Sequence, residues 1–239
     1  MRKTMIPLAL MAAIVTTSSY GFGIPKVPGL GGGASASGGS SVTGDAVDKF
    51  VSLGTDSSAK INQARDTLAI AFTKKEDRAK LFQQLDQMKK GLADKDNKKA
   101  KDDYAKFQQS NDAVINTNLA NGEAEKRLSE MGTDQVEKVG KSVLLLAHGI
   151  LIQKEQIPAG QDMITAISSN PMLATKLPAV KDTVMTMTDN VKTAGAYLIK
   201  LPGLLKTAKV NITLPTDSSS KPDTNVDASA FLDTPKGGS

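Results

Sequence analysis

The chain's capacity for acid-base chemistry rests on one histidine, His148, and on no cysteine at all. Histidine is the side chain that most readily moves protons near neutral pH, but His148 is set in the most apolar stretch of the sequence, VLLLAHGILI. A serine-histidine-acid triad would have no other histidine to draw on, and no Gly-x-Ser-x-Gly elbow accompanies it. His148 is therefore expected to be a core or helix-face residue with its ring hydrogen-bonded. The missing cysteines remove disulfides, thiolate chemistry, an N-terminal lipid-bearing cysteine and the usual four-ligand zinc sites.

Three weaker constellations fail on spacing. Gly140-Lys141-Ser142 has the ending of a phosphate-binding loop, yet the glycine required five positions earlier is Gln135, and the preceding segment has helical rather than strand periodicity. Asp94-Lys95-Asp96-Asn97 opens like a calcium loop, after which Lys98 and Lys99 fall where an oxygen ligand and the turn glycine belong. The acidic pairs Asp102-Asp103 and Glu123 with Glu125 lie among lysines in charge-mixed helical sequence, the composition of solvated surface. No catalytic, cofactor or metal site is implied.

The segment that stands furthest from background is 191–214, VKTAGAYLIKLPGLLKTAKVNITL, with four lysines, no acidic residue and dense leucine and isoleucine. Lys192, Tyr197, Lys200, Lys206 and Lys209 are its candidate contact residues. Such a composition suits an amphipathic segment on an anionic lipid surface. It equally suits a core helix whose lysines face water, which is the preferred expectation because the same heptad continues upstream.

These residues must be positioned by helices. Strand signals are confined to the alternation of Val210, Ile212 and Leu214, whereas apolar spacing of three and four runs through most of the chain. A short helix is expected from Asp45 to Leu53, ended by Gly54. The next carries Ile61, Ala64, Leu68, Ala71 and Phe72 on one face. Thr73 and Glu76 have capping-box spacing, so a helix restarts there, or the first continues with a kink, along a seam of Leu81, Leu85, Met88 and Leu92. After a turn near 94–97, Ala100, Tyr104, Phe107, Val114 and Leu119 form another seam, with Asn111 expected at a partly exposed position. Asn121-Gly122 breaks it. Thr133 then caps a helix with a broad apolar stripe through Val136, Val139, Val143, Ala147 and Ile150, expected to end at Ile157-Pro158. A short helix around Met163 and Ile167 follows, and Asn170-Pro171 interrupts the chain. Pro178 opens the most regular heptad of the sequence, Val180, Val184, Met187, Val191, Ala194, Leu198 and Leu201, which Pro202-Gly203 should close.

The sequence thus predicts an all-α bundle of four to six helices with coiled-coil-like packing over 44–214. Around it, 1–21 reads as a signal peptide: Arg2 and Lys3, an apolar run over 5–15, then small residues, with cleavage after Gly21 or Gly23. The run is too short for a membrane-spanning helix. The Gly/Ser-rich stretch 22–43 reads as a flexible tether and 215–239 as a disordered tail, with Val226, Phe231 and Leu232 its only candidate anchors. Loss of Arg2 and Lys3 leaves 28 basic residues against 25 acidic. Neither that small excess nor the 4% aromatic content, without tryptophan, fits a nucleic-acid reader. The expected product is a non-enzymatic exported interaction or scaffolding protein, periplasmic or secreted, binding another envelope protein or itself. A lipid-binding protein acting through 191–214 is the alternative.

Overall fold

The computed structural model describes residues 42–94, 97–219, 222 and 226–232, and among them the chain is an all-α bundle of six helices. They are α1 (Gly44–Phe72), α2 (Lys75–Leu92), α3 (Lys98–Asn121), α4 (Glu123–Ser129), α5 (Thr133–Ser168) and α6 (Leu177–Thr207). Two 3-10 turns complete the set, Pro171–Lys176 and Ala228–Phe231. The signal-peptide and most of the tether expectations lie outside the described residues. No helix among the described residues is long and apolar enough to cross a membrane.

α1, α5 and α6 pack against one another along their lengths, and α3 lies on α1 with α2 and α4 beside it. Their contact is two apolar clusters. The larger is built around Leu68, Phe72, Val139, Leu146, Ala194 and Leu201, and the smaller around Phe50, Met163, Ile167, Val180 and Met187. Between the two on all three helices lies a polar layer. There the Gln153 amide nitrogen donates to the hydroxyls of Ser57 and Ser58 at 3.2 and 3.0 Å, and Asn190 donates to Ser58 at 3.2 Å. A shared polar layer of this kind fixes the axial register of packed helices, since sliding would bury its donors unpaired.

Glycines set how closely the three helices approach. Gly54 was expected to end the first helix, yet α1 runs straight through it, because it is buried where α6 crosses and a Cβ would run into Thr183 Cγ2. A Cβ on Gly149 would lie 2.6 Å from Ile61 Cγ1, and one on Gly160 2.5 Å from Phe50 Cζ.

Two of the prolines likewise do not break the chain where the sequence places breaks, whereas Asn170-Pro171 does and Pro178 opens α6 as expected. Pro158 lies inside α5 and Pro202 inside α6. Each removes one backbone hydrogen bond, but the helical residues beyond them are core: Met163 and Ile167 after Pro158, Leu205 after Pro202, all at most 1% exposed. Burial outweighs the lost bond. The true breaks lie elsewhere and only some are capped: Thr133, expected to cap α5, is instead its first residue, behind Gly132 with no side-chain cap. Thr73 is extended and its hydroxyl donates back to the Ala69 carbonyl at 2.8 Å, so the Thr73–Glu76 box does not form and Lys74 begins α2 without a side-chain cap. Asn97 caps α3 by accepting from the Ala100 N–H at 2.9 Å. Gly122, at φ 80°, ends α3. Asn170 caps the 3-10 turn that carries the chain into α6, with Pro178 in its first turn. α6 closes with Lys209 at φ 63°, Lys209 N–H on the Lys206 carbonyl and Val210 N–H on that of Leu205, the paired bonds of a Schellman motif.

Three further expectations change. Along α6 the buried line runs Val180, Val184, Met187, Asn190, Ala194, Tyr197, Leu201 and Leu205, leaving Val191 and Leu198 only half-buried. A straight helix of 3.6 residues per turn drifts from a 3.5 repeat, and α3 takes up the flank it drifts toward. Asn111 is 1% exposed rather than partly exposed. The packed chain also extends past 214. The segment 210–214 forms neither helix nor strand, with Val210 and Ile212 against Gly140 of α5, and within the expected tail Val226, Ala228 and Phe231 are buried in the larger cluster. Three apolar side chains brought together by one 3-10 turn suffice to order that stretch.

Candidate functional site

Residues 64–72 of α1 are buried on every side of the helix. Any charge among them must be met by a partner, and the two that occur, Arg65 and Asp66, organise the bundle's main polar network. Arg65 donates through Nε to Asp112 Oδ1 at 2.7 Å and through its second terminal nitrogen to the other Asp112 oxygen, a bidentate pair from α1 to α3. The same guanidinium reaches Asn62 Oδ1 at 3.2 Å and the Gln108 carbonyl at 3.3 Å. Tyr197 of α6 donates its hydroxyl to Asp112 Oδ1 at 2.7 Å and completes a three-helix link.

Asp66 is 1% exposed. Its Oδ1 accepts from Gln108 Nε2 at 2.5 Å and Asn111 Nδ2 at 3.0 Å, and its Oδ2 from the Tyr104 hydroxyl at 3.2 Å, with Lys89 Nζ at 3.6 Å. Burial raises the Asp66 carboxyl above its ordinary value, against the opposing pull of Lys89 and these donors. Burial, reinforced by the neighbouring carboxylates, also pushes both tyrosine hydroxyls far up, so that they stay protonated as donors.

An open groove of about 470 Å³ runs over this network between α1, α3 and α6, lined by Asn62, Arg65, Gln108 and Asp112, with Lys101 and Lys192 also lining it. Arg65 and both carboxylates are held by neighbouring side chains. The arrangement orients helices and leaves Lys101, Lys192 and the acidic Asp189 as its charged edge.

The candidate residues of 191–214 separate sharply. Tyr197 is 1% exposed and belongs to the network, so it is not a surface contact. Ala194, Leu201 and Leu205 are fully buried beside it. Lys192, Lys200, Lys206 and Lys209 are exposed, and among the described residues none is in a salt bridge; Lys200 donates to the Leu119 carbonyl at 3.4 Å. Ile199 stands among them at 83% exposure. From Val191 onward the outer face of α6 is therefore Lys192, Lys200 and Lys206 around one protruding large apolar side chain, with Lys209 just past the helix end; the half of α6 before it also exposes Met185, Asp182 and Asp189.

His148 is 5% exposed, as its sequence setting predicts, and its Nε2 lies 2.9 Å from the Ser218 carbonyl. The Ser218 hydroxyl in turn donates to Glu155 at 2.5 Å. The ring thus ties the segment after α6 to α5. Sequence reasoning missed Arg65, Asp66, Gln108 and Asp112. The legible signal was an Arg-Asp pair one residue ahead of the apolar run LAIAF, which leaves little solvent face for it.

Comparisons of the chain with protein-family models, curated proteins and solved structures gave no match.

Proposed function

We propose that the chain is a non-enzymatic exported interaction or scaffolding protein of a bacterial envelope, and that its contact surface is the outer face of α6. The observation that carries this reading is the division of 191–214. Its apolar residues are spent on the core, while four lysines and Ile199 stay exposed on a stretch, 190–216, that contains no acidic residue. A single-sign face around one apolar anchor is complementary to an acidic protein surface. His148, the one histidine, is engaged in holding the chain after α6. Export rests on the pattern of 1–21. The same protruding Ile199 within a lysine field supports the second reading, adsorption on anionic lipid headgroups.

Affinity capture from host envelope extract at low and high salt, with wild type beside a variant carrying Lys192→Glu, Lys200→Glu, Lys206→Glu and Lys209→Glu, tests the proposal. A protein retained by wild type, weakened by salt and lost with the variant at unchanged circular dichroism is expected. Equal capture by both chains contradicts it. Flotation with phosphatidylglycerol vesicles, lost in the same variant and without protein capture, replaces it with the lipid reading.

A further inference from the structure

Residues 226–232 sit on the bundle as a ligand would. The stretch leading to them, 216–225 (TDSSSKPDTN), has no large apolar side chain, so the segment is a separate cohesive unit rather than the end of a helix. Val226, Ala228 and Phe231 are 5%, 8% and 1% exposed, while Asp227 between them is exposed. They pack against α1, α2 and α5. Two side-chain amides from different helices receive the segment's backbone: Gln63 Nε2 of α1 donates to the Val226 carbonyl at 3.0 Å, and Gln135 Nε2 of α5 to the Ala230 carbonyl at 3.1 Å. The segment's own fold is local, since Asp227 accepts from the Ser229 N–H at 2.8 Å and Leu232 N–H reaches the Ser229 carbonyl at 2.9 Å. Main-chain hydrogen bonds from the receptor combined with sockets for spaced side chains are how short peptides are recognised.

We infer that the cleft between α1, α2 and α5 is a peptide-docking site, filled in cis by residues 226–232, which accepts the same Val-x-Ala-x-x-Phe pattern from a partner protein. This goes beyond the α6 contact face and does not depend on it. A tethered occupant acts at an effective concentration of order millimolar, so a partner's segment competes poorly until the resident one leaves.

The test uses the full chain and a fluorescent peptide of residues 222–232, followed by anisotropy. Full-length Phe231→Asp, with its resident segment released, is expected to bind the peptide at least about tenfold more tightly than wild type, and peptide carrying the same Phe231→Asp change to bind neither. Absence of binding to a variant with wild-type circular dichroism overturns the inference. So does loss of helical signal in that variant, which would make the segment an inseparable part of the core. Hydrogen exchange on wild type adds an independent check: the Leu232 amide should exchange at least about tenfold faster than the amides of 64–72, as a segment that leaves without global unfolding does, and equal rates count against it.

Discussion

Asp66 is the residue whose environment departs most from what its sequence position suggests. A carboxylate at 1% exposure is costly, and the donors from Gln108, Asn111 and Tyr104 with nearby Lys89 offset only part of that cost, since its carboxyl remains raised. The folded state therefore binds this proton better than the unfolded chain does. The stabilisation from protonating Asp66 is fully present below its ordinary value of 3.8 and is lost as pH rises through the raised one. Wild type should gain stability relative to Asp66→Asn as pH falls from about 7 toward about 4, measured by urea unfolding of both proteins. A difference that stays flat, or moves the other way, contradicts the assigned environment. Asp66→Ala, which strands the donors, should cost about 3 kcal/mol at neutral pH. In the sequence the apolar run after Arg65 and Asp66 hints that they lack a solvent face, but which groups meet them is seen only in the packing of α3. His148 and Asn111 show the same asymmetry. A histidine in an apolar run is legible as buried, whereas a polar seam residue is not, because its burial depends on Asp66 meeting it from another helix.

Helix existence was legible from apolar spacing, but helix ends at Gly54, Pro158 and Pro202 were not. Local propensity marks all three as breaks, and burial of the following turn overrides it. Glycine illustrates how context decides the sign of a change. Gly149 and Gly195 both lie within helices, where alanine is favoured by up to about 1 kcal/mol. A Cβ at Gly195 meets nothing within 4 Å, whereas one at Gly149 meets Ile61 and, at 3.3 Å, the Ser57 carbonyl. Gly195→Ala should therefore stabilise by about 0.5–1 kcal/mol, while Gly149→Ala should destabilise by about 1–2 kcal/mol after the propensity gain is subtracted from the overpacking penalty. Thermal melting of the two variants reads the opposite signs directly. At the same scale, burying Val226, Ala228 and Phe231 contributes about 5 kcal/mol, against an ordering cost of about 1 kcal/mol for each of seven residues. The two bonds from Gln63 and Gln135 bring the sum near balance, which is what an exchangeable segment requires.

The described part of the molecule is a three-helix core of α1, α5 and α6 with α3 keyed to it by the Arg65–Asp112 ion pair and the hydrogen bonds to Asp66, and α6 serves two purposes at once. One side of it supplies Tyr197, Leu201 and Leu205 to the interior, and the other presents Ile199 with the lysines. The heptad Val180 to Leu201 announced the first side in the sequence. The second was visible only as a composition, since the same leucines and lysines would also describe a helix lying on a membrane, and assigning each side chain to a face required the positions of α1, α3 and α5. The most direct test of this division is a circular-dichroism melt of Leu201→Asp beside Ile199→Asp. Leu201→Asp places an unpaired carboxylate in the core, a cost of several kcal/mol that takes most of the stability of a domain this size, and it should abolish the native melt. Ile199→Asp, at a site 83% exposed, should keep the wild-type spectrum and melt within about 2 °C of it. A Leu201→Asp protein that melts like wild type, or an Ile199→Asp protein that unfolds, would contradict the assignment of the two faces.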